Sequence, residues 1–345
     1  MDVSPMRRAL SALANRQSLT ESQTAEVFGI VMSGDATPAQ IGGLLMGLRA
    51  KGETADELAG AARALREAMV QVRAQHPHLV DTCGTGGGSV STFNISTVAA
   101  FVAAGAGAVV PKHGNRSYTS RCGSADVLEA LGVRIVLDAA HASRVLHDAR
   151  VVFLFAPSFH PAMKHVGPVR RELGTPTLMN LVGPLANPAG VRRQVIGVAE
   201  SDRAAIVADA LVRLGAEHAL VVNGRVGMDE ISPRGITDVW EVKDGAVRQW
   251  EIDPARFRLE IEDVKVLEGG EPAANAERME RILGNGSADQ PGLAAVLLNA
   301  GAAIYVAGIA GSLAEGIGRA REVVASGAAR AALDRLRKAT ASISG

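Results

Sequence analysis

Cysteine is almost missing from this chain of 345 residues: Cys83 and Cys122 are the whole supply. Two thiols build no disulfide framework, and their spacing matches no metal motif, so a reducing compartment, the cytoplasm, is expected. Aromatic residues are scarce too, at seven Phe, two Trp and two Tyr, which argues against a base-stacking surface. Neither sign of charge is in excess. Lysine plus arginine and aspartate plus glutamate each number 36, for a net charge of zero, so bulk attraction to nucleic acid or to an acidic membrane is not expected. The opening MDVSPMRRALSALANR holds no apolar stretch ahead of a cleavage site, and no secretory signal is read. One long uncharged run exists, Leu293 to Leu313, long enough by count to span a bilayer. Its Asn299, its glycines and its many alanines point instead to a buried, tightly packed helix.

What is present favours a folded enzyme-sized chain. Apolar residues make up 47% and charged residues 21%, ample for a core, and the length fits two domains. Residues 1–73 read as helices in series. Thr20 with Gln23, Thr37 with Pro38 and Gln40, and Thr54 with Glu57 each pair an N-cap with a capping-box partner. The apolar runs behind them recur at three and four and stop at Gly34 and Gly52. From about residue 78 short β-rich runs (HLVDTCG, AVVPKHG, VRIVL, VVFLFAP, QVIGVA, HALVVNG) alternate with helical ones. The expected fold is α/β: a small N-terminal helical domain over 1–73, beside a larger α/β domain over 78–345 with a mostly parallel central sheet flanked by helices.

Glycine is the one clear excess, 38 residues in all, against an ordinary share of ~7%. Part of it gathers where a strand meets a helix, in Asp81-Thr-Cys-Gly84-Thr-Gly86-Gly87-Gly88, followed by Thr92, Asn94, Ser96 and Thr97. Such a loop lets successive N–H groups face one anion, and the helix start adds free donors. It is neither a Walker A nor a GxGxxG loop. One crossover later, Lys112-His113-Gly114-Asn115-Arg116-Ser117, Tyr118-Thr119-Ser120 and Ser124 put cations and hydroxyls at the same carboxyl edge, where open α/β sheets bind ligands. Two anion-binding loops on one edge point to a ligand with more than one phosphate. The adjacent carboxylates Asp229 and Glu230 follow the strand HALVVNG and suit Mg²⁺ bridged to phosphates. Arg170 in HPAMKHVGPVRRELG offers a fork of donors for a carboxylate.

These stretches resemble the anthranilate phosphoribosyltransferases. The likeness rests on GTGG with TFNIST, KHGNRS, GSADVLEALG, FHPAMKHVGPVRRELG, GPLANP and the acidic pair 229–230. It runs from about residue 5 to 335 and is densest between 81 and 190. The resemblance implies the fold of the pyrimidine nucleoside phosphorylases, with helices from about 166–190 joining the N-terminal domain, and a homodimer. It implies transfer of the 5-phosphoribosyl group from phosphoribosyl pyrophosphate to the amino group of anthranilate, releasing pyrophosphate. By motif, Gly84, Gly87, Gly88, Thr92, Asn94, Ile95, Ser96, Thr97, Lys112, His113, Gly114, Asn115, Arg116, Ser117, Tyr118, Thr119, Ser120 and Ser124 would hold the donor. Ser96, Asp229 and Glu230 would hold Mg²⁺, while Gly84, Asn115 and Arg170 would meet anthranilate. Lys112 would face the leaving group and His113 would help position the acceptor. The chain departs from the family pattern at Gly88, where aspartate is usual, and at Ser89, where glycine is. It departs again at Pro176 and Met179, in place of arginine and phenylalanine.

Two other readings compete. A pyrimidine nucleoside phosphorylase shares the fold and a glycine loop near phosphate, but KHGNRS, Arg170 and the acidic pair favour the transferase. A non-enzymatic nucleic-acid-binding relative needs a basic face, which a net charge of zero does not supply.

Overall fold

The structure, a computed structural model, describes residues 4–117, 121–284 and 288–343. Four helices open it: α1 (Pro5–Ala14), α2 (Glu21–Ser33), α3 (Pro38–Lys51) and α4 (Ala55–Ala68). Thr20, Thr37 and Thr54 each accept the backbone N–H three residues on. The side chains of Gln23, Gln40 and Glu57 return the bond to the cap. Each such cap is worth about 1 kcal/mol, so these starts are set locally. Helix α2 ends at Gly34 in the left-handed region, φ 88°, where glycine carries no Cβ penalty.

The rest alternates strands and helices: β1 (Asp81–Gly84), α5 (Ile95–Gly105), β2 (Val110–Gly114), α6 (Ser124–Ala130), α7 (Ala139–Ala149), β3 (Val151–Phe155). Three short or middling helices follow, α8 (Ala156–Phe159), α9 (Met163–Leu173) and α10 (Met179–Val182). The chain then returns as β4 (Arg193–Gly197), α11 (Ser201–Arg213), β5 (His218–Gly224), β6 (Thr237–Lys243) and β7 (Ala246–Ile252). It finishes in α12 (Pro272–Gly284), α13 (Gln290–Val306), α14 (Leu313–Ala325) and α15 (Ala328–Ala341).

Five strands pair in the order β1-β4-β5-β6-β7, and β2 pairs with β3. The ladders β1/β4, β4/β5 and β2/β3 are parallel, while β5/β6 and β6/β7 are antiparallel. A parallel bridge between Leu79 and Val109 brings β2 alongside the approach to β1. The sheet is therefore mostly parallel with an antiparallel edge. That edge is a hairpin over 237–252, turned at Asp244 and Gly245 with φ 52° and 75°. Positive φ at both central residues is what a two-residue type I′ turn requires.

The run VRIVL, expected as a strand, forms none. Val133, Ile135 and Leu137 are buried while Val136 is 57% exposed. Its alternation reports one buried side of an extended connector between α6 and α7, with no ladder partner.

Two apolar cores lie on the two faces of the sheet. Val195, Leu220, Val222 and Val239 join the core built with α5 and α13–α15. Ile196, Ala219, Val221 and Val242 join the other, which gathers α11 with residues of α1–α4, α9 and α10. Helix α9 packs on α2 and α3, and α10 on α4. The long uncharged run resolves into α13, buried along most of its length. Among the described residues no helix is long and apolar enough to cross a membrane.

Candidate active site

The carboxyl edge of the sheet gathers four separate segments by direct hydrogen bonds. The loop after β1 turns through Gly86 and Gly87, both left-handed at φ 67° and 82°. There the Gly86 N–H donates to Asp229 Oδ2 at 2.9 Å. Thr92 Oγ1 donates to Glu230 Oε2 at 3.0 Å, and the Ser96 N–H donates to Glu230 Oε1 at 3.3 Å. Ser96 lies in the first turn of α5, whose N–H groups have no partner within the helix. From the middle of β2, Lys112 Nζ donates to Ser96 Oγ at 3.2 Å and to the Thr82 carbonyl at 2.5 Å. Glycine loop, α5 start, Lys112 and acidic pair thus form one cluster.

Burial works against the charged form of each of its ionisable groups. Burial, then the charge of Asp229, pushes Glu230 up to about 8. Burial raises Asp229 as well. Burial also lowers the Lys112 ammonium, with the Asp81 carboxylate as the strongest opposing influence. Asp81 is itself buried, accepting from Asn187 Nδ2 at 2.7 Å and from the His113 N–H at 3.2 Å. Asn187 Nδ2 also donates to the Pro111 carbonyl at 2.8 Å. Asp81 and Asn187 were not singled out from sequence, although both sit inside stretches that were, DTCG and GPLANP.

His113 is buried, its Nε2 3.2 Å from Nε2 of His160, with ring centroids 5.0 Å apart. Burial first, and His160 second, lowers His113 to about 3, and burial lowers His160 to about 4. Both are neutral imidazoles at neutral pH. The partnership with His160 joins β2 to the end of α8 and has no signal in sequence spacing.

Other expected residues fall around this cluster in different ways. Gly84 ends β1 and Gly114 ends β2. Gly87 is exposed and Gly88 partly so. Asn94 acts as a brace, donating to the Cys122 carbonyl at 3.1 Å and accepting from Asn275 Nδ2 at 3.1 Å. Ile95 and Thr97 open α5 on its buried side. Their side chains are buried at 0% and 1% exposure, and the Ile95 N–H is spent on the Phe93 carbonyl at 2.7 Å. The Thr97 hydroxyl is buried there with no hydrogen-bond partner among the described residues.

Arg116 is exposed and forms ion pairs with Asp126 at 2.7 Å and Glu129 at 2.6 Å. Asn115 Oδ1 accepts the Arg116 N–H, and Ser124 Oγ donates to the Asn115 carbonyl at 3.2 Å. The Ser117 N–H reaches Asp126 Oδ2 at 3.4 Å. Tyr118, Thr119 and Ser120 lie outside the described residues. Arg170 is half-buried on α9, whose Val166 and Val169 join the second core, and donates to Asn180 Oδ1 at 3.2 Å.

For a metal, the donors at hand are oxygens: two adjacent carboxylates and the Ser96 hydroxyl. Among the described residues no group of three or more His, Cys, Asp and Glu side chains forms a cage. A hard cation held by one or two carboxylates and completed by substrate phosphates fits that set.

Two family models cover most of the chain. Residues 7–69 match the helical bundle domain of a glycosyl transferase family, and residues 76–330 match its a/b domain. An anthranilate phosphoribosyltransferase of Laribacter hongkongensis is 49% identical over 333 residues, covering 96% of each chain. One from Thioalkalivibrio sulfidiphilus is 48% identical, covering 98% of this chain and 99% of that one. Among solved structures, the Thermus thermophilus anthranilate phosphoribosyltransferase superposes with a TM-score of 0.92 at 42% identity, over 97% of this chain and 99% of that one. The Saccharomyces cerevisiae enzyme, in complex with phosphoribosyl pyrophosphate and Mg, gives 0.90 at 28% identity, over 98% of each.

Proposed function

The chain belongs to the anthranilate phosphoribosyltransferases, and from that premise we propose how its own residues carry the reaction. It transfers the 5-phosphoribosyl group of phosphoribosyl pyrophosphate to the amino group of anthranilate. The products are N-(5-phosphoribosyl)anthranilate and pyrophosphate, in the second step of tryptophan synthesis from chorismate. The observation that carries the residue assignment is the hydrogen-bonded convergence of Gly86, Thr92, Ser96, Lys112, Asp229 and Glu230 at one sheet edge.

As pyrophosphate leaves C1 of the ribose, negative charge grows on the leaving group and positive charge on the ring. In our reading the loop N–H groups at Gly84, Gly87 and Gly88, with Thr92, Asn115, Ser117 and Ser124, hold the donor's phosphates and ribose. Lys112 adds a buried positive charge beneath them and orients the Ser96 hydroxyl, a form of electrostatic stabilisation prepared before the reaction begins. Asp229, Glu230 and Ser96 would hold Mg²⁺, which neutralises pyrophosphate oxygens when bound. Arg170 pairs with the anthranilate carboxylate, and neutral His113, backed by His160, shapes the acceptor side. An arylamine already carries its lone pair, so positioning suffices and no general base is assigned.

We further propose a division into a helical body (1–73 with about 166–190) and an α/β body (78–345), a homodimer, and a cytoplasmic location. The direct test is loss of anthranilate fluorescence on adding phosphoribosyl pyrophosphate and Mg²⁺. Fluorescence that persists with all three present would overturn the reading.

A further inference from the structure

Asn299 is a polar residue in the middle of the most apolar long helix of the chain, and it is 5% exposed. A buried amide without partners costs a few kcal/mol, so its bonds need an account. Oδ1 accepts the Ile231 N–H at 3.0 Å. Nδ2 donates to the Ile231 carbonyl at 2.9 Å and to the Ala295 carbonyl at 2.9 Å. The side chain therefore holds both backbone groups of a single residue, as a neighbouring strand would, and that residue directly follows Glu230.

The opposite side of the acidic segment is fitted against the sheet edge. A Cβ on Gly197 would lie 1.5 Å from the Asp229 carbonyl oxygen, and one on Gly84 would lie 2.7 Å from Asp229 Oδ2. Backbone 229–231 thus runs between strand ends stripped of side chains and the amide of α13. Between the two lies a cavity of about 10 Å³, lined in part by Thr82, Ser96, Asp229, Glu230 and Asn299. The carboxylate tips are held from the front by the Gly86 N–H, the Thr92 hydroxyl and the Ser96 N–H, and the backbone that carries them is held from behind by Asn299.

We propose that Asn299 is a positioning residue for the acidic pair: by pinning Ile231 it aims the Asp229 and Glu230 carboxylates at the donor's pyrophosphate. The proposal rests on the reading that these carboxylates hold Mg²⁺ with the donor. Partners of this kind behind metal ligands tune affinity without touching the metal.

The test uses the full-length protein and three variants, Asn299→Leu, Asn299→Ser and Asp229→Asn. Calorimetry measures Mg²⁺ binding in the presence of phosphoribosyl pyrophosphate, hydrogen exchange reads the Ile231 amide, and steady-state kinetics give KM for anthranilate. Asn299→Leu should weaken Mg²⁺ binding about tenfold or more and speed exchange at Ile231, with KM for anthranilate little changed. If the leucine variant fails to fold, Asn299→Ser, too short to span both Ile231 groups, decides by the same measurements. A lowered melting temperature with unchanged Mg²⁺ binding would overturn the proposal and leave Asn299 as a tie between loop and helix. Asp229→Asn separates the two levels. Weakened binding there with none in the Asn299 variants removes only the positioning role, whereas unchanged binding in Asp229→Asn removes the metal reading itself.

Discussion

Two glutamates at opposite ends of the sheet meet different fates. Glu241, near the end of β6, accepts from Tyr305 OH at 2.7 Å and Trp250 Nε1 at 3.1 Å, and its Oε1 lies 2.8 Å from His218 Nε2. His218 heads the list of influences that hold its carboxyl below the usual range, against the effect of burial. Glu230, at the carboxyl edge, has the Thr92 hydroxyl and the Ser96 N–H, and an acidic neighbour in Asp229. Burial prevails there and its carboxyl rises to about 8. Withdrawal from water acts on both. The number of donors and the sign of the neighbour decide the direction. At one end of the sheet three donors hold a single carboxylate, while at the other two adjacent carboxylates have fewer donors each, with Lys112 the cation nearby.

The sharpest way to break that contrast is to neutralise each end in turn. Asp229→Asn should cut turnover by about a hundredfold or more while the melting temperature holds. Turnover that stays the same across a Mg²⁺ titration would reassign the pair to a structural role. Glu241→Gln should do the reverse, costing about 1.5–3 kcal/mol of stability with turnover nearly intact, as chemical denaturation and initial rates would reveal. Its sign with pH follows from linkage. The folded carboxyl titrates below its ordinary 4.5, so the unfolded state binds more protons between the two values. The stabilisation is then present above about pH 4.5 and fades as pH falls through the lowered folded value. Parent and Glu241→Gln stabilities should converge in acid. A constant gap from pH 7 to pH 3 would mean that packing, not charge, accounts for the loss.

The acceptor side offers a smaller effect. On the proposed reading, Arg170→Ala would remove a charge-assisted contact to the anthranilate carboxylate, and affinity for anthranilate should fall about tenfold. Affinity for the donor should stay nearly constant, and equal losses for both substrates would make Arg170 a helix anchor. The smallest effect is expected at Gly88. Its φ is not left-handed, yet a Cβ there would lie 2.8 Å from the Gly227 carbonyl oxygen. Gly88→Asp must shift the loop and, on the proposed reading, would add a carboxylate beside the phosphates, so it should need more Mg²⁺ for half-maximal rate. Superimposable Mg²⁺ curves would show Gly88 to be a tolerated turn residue.

Much of the helical region was legible because its signals are local. A threonine cap and its partner three residues on are set by a few backbone angles, and all three capping boxes form as read. The same locality let the run after Leu293 be read as a buried helix. Alternation misled at VRIVL, where period two reports one-sided burial and not a ladder. It was overlooked at TDVWEVK-DG-AVRQWEI, where charges on the outer face dilute the apolar signal although Asp244-Gly245 is a strong hairpin turn.

The motifs likewise offered residue types suited to the proposed chemistry, since GTGG, TFNIST, KHGNRS and the acidic pair are contiguous stretches whose composition favours phosphate and Mg²⁺. The division of labour among them waited on tertiary structure. Within TFNIST only the fold turns Thr92 and Ser96 toward Glu230 and sends Ile95 and Thr97 into the core. Only the fold sets His160 against His113 and carries Asn299 across 68 residues of chain to Ile231. A residue's type and its local backbone are properties of neighbours in sequence. Its partners, and hence the charge it keeps, are set by segments that meet only when the sheet closes.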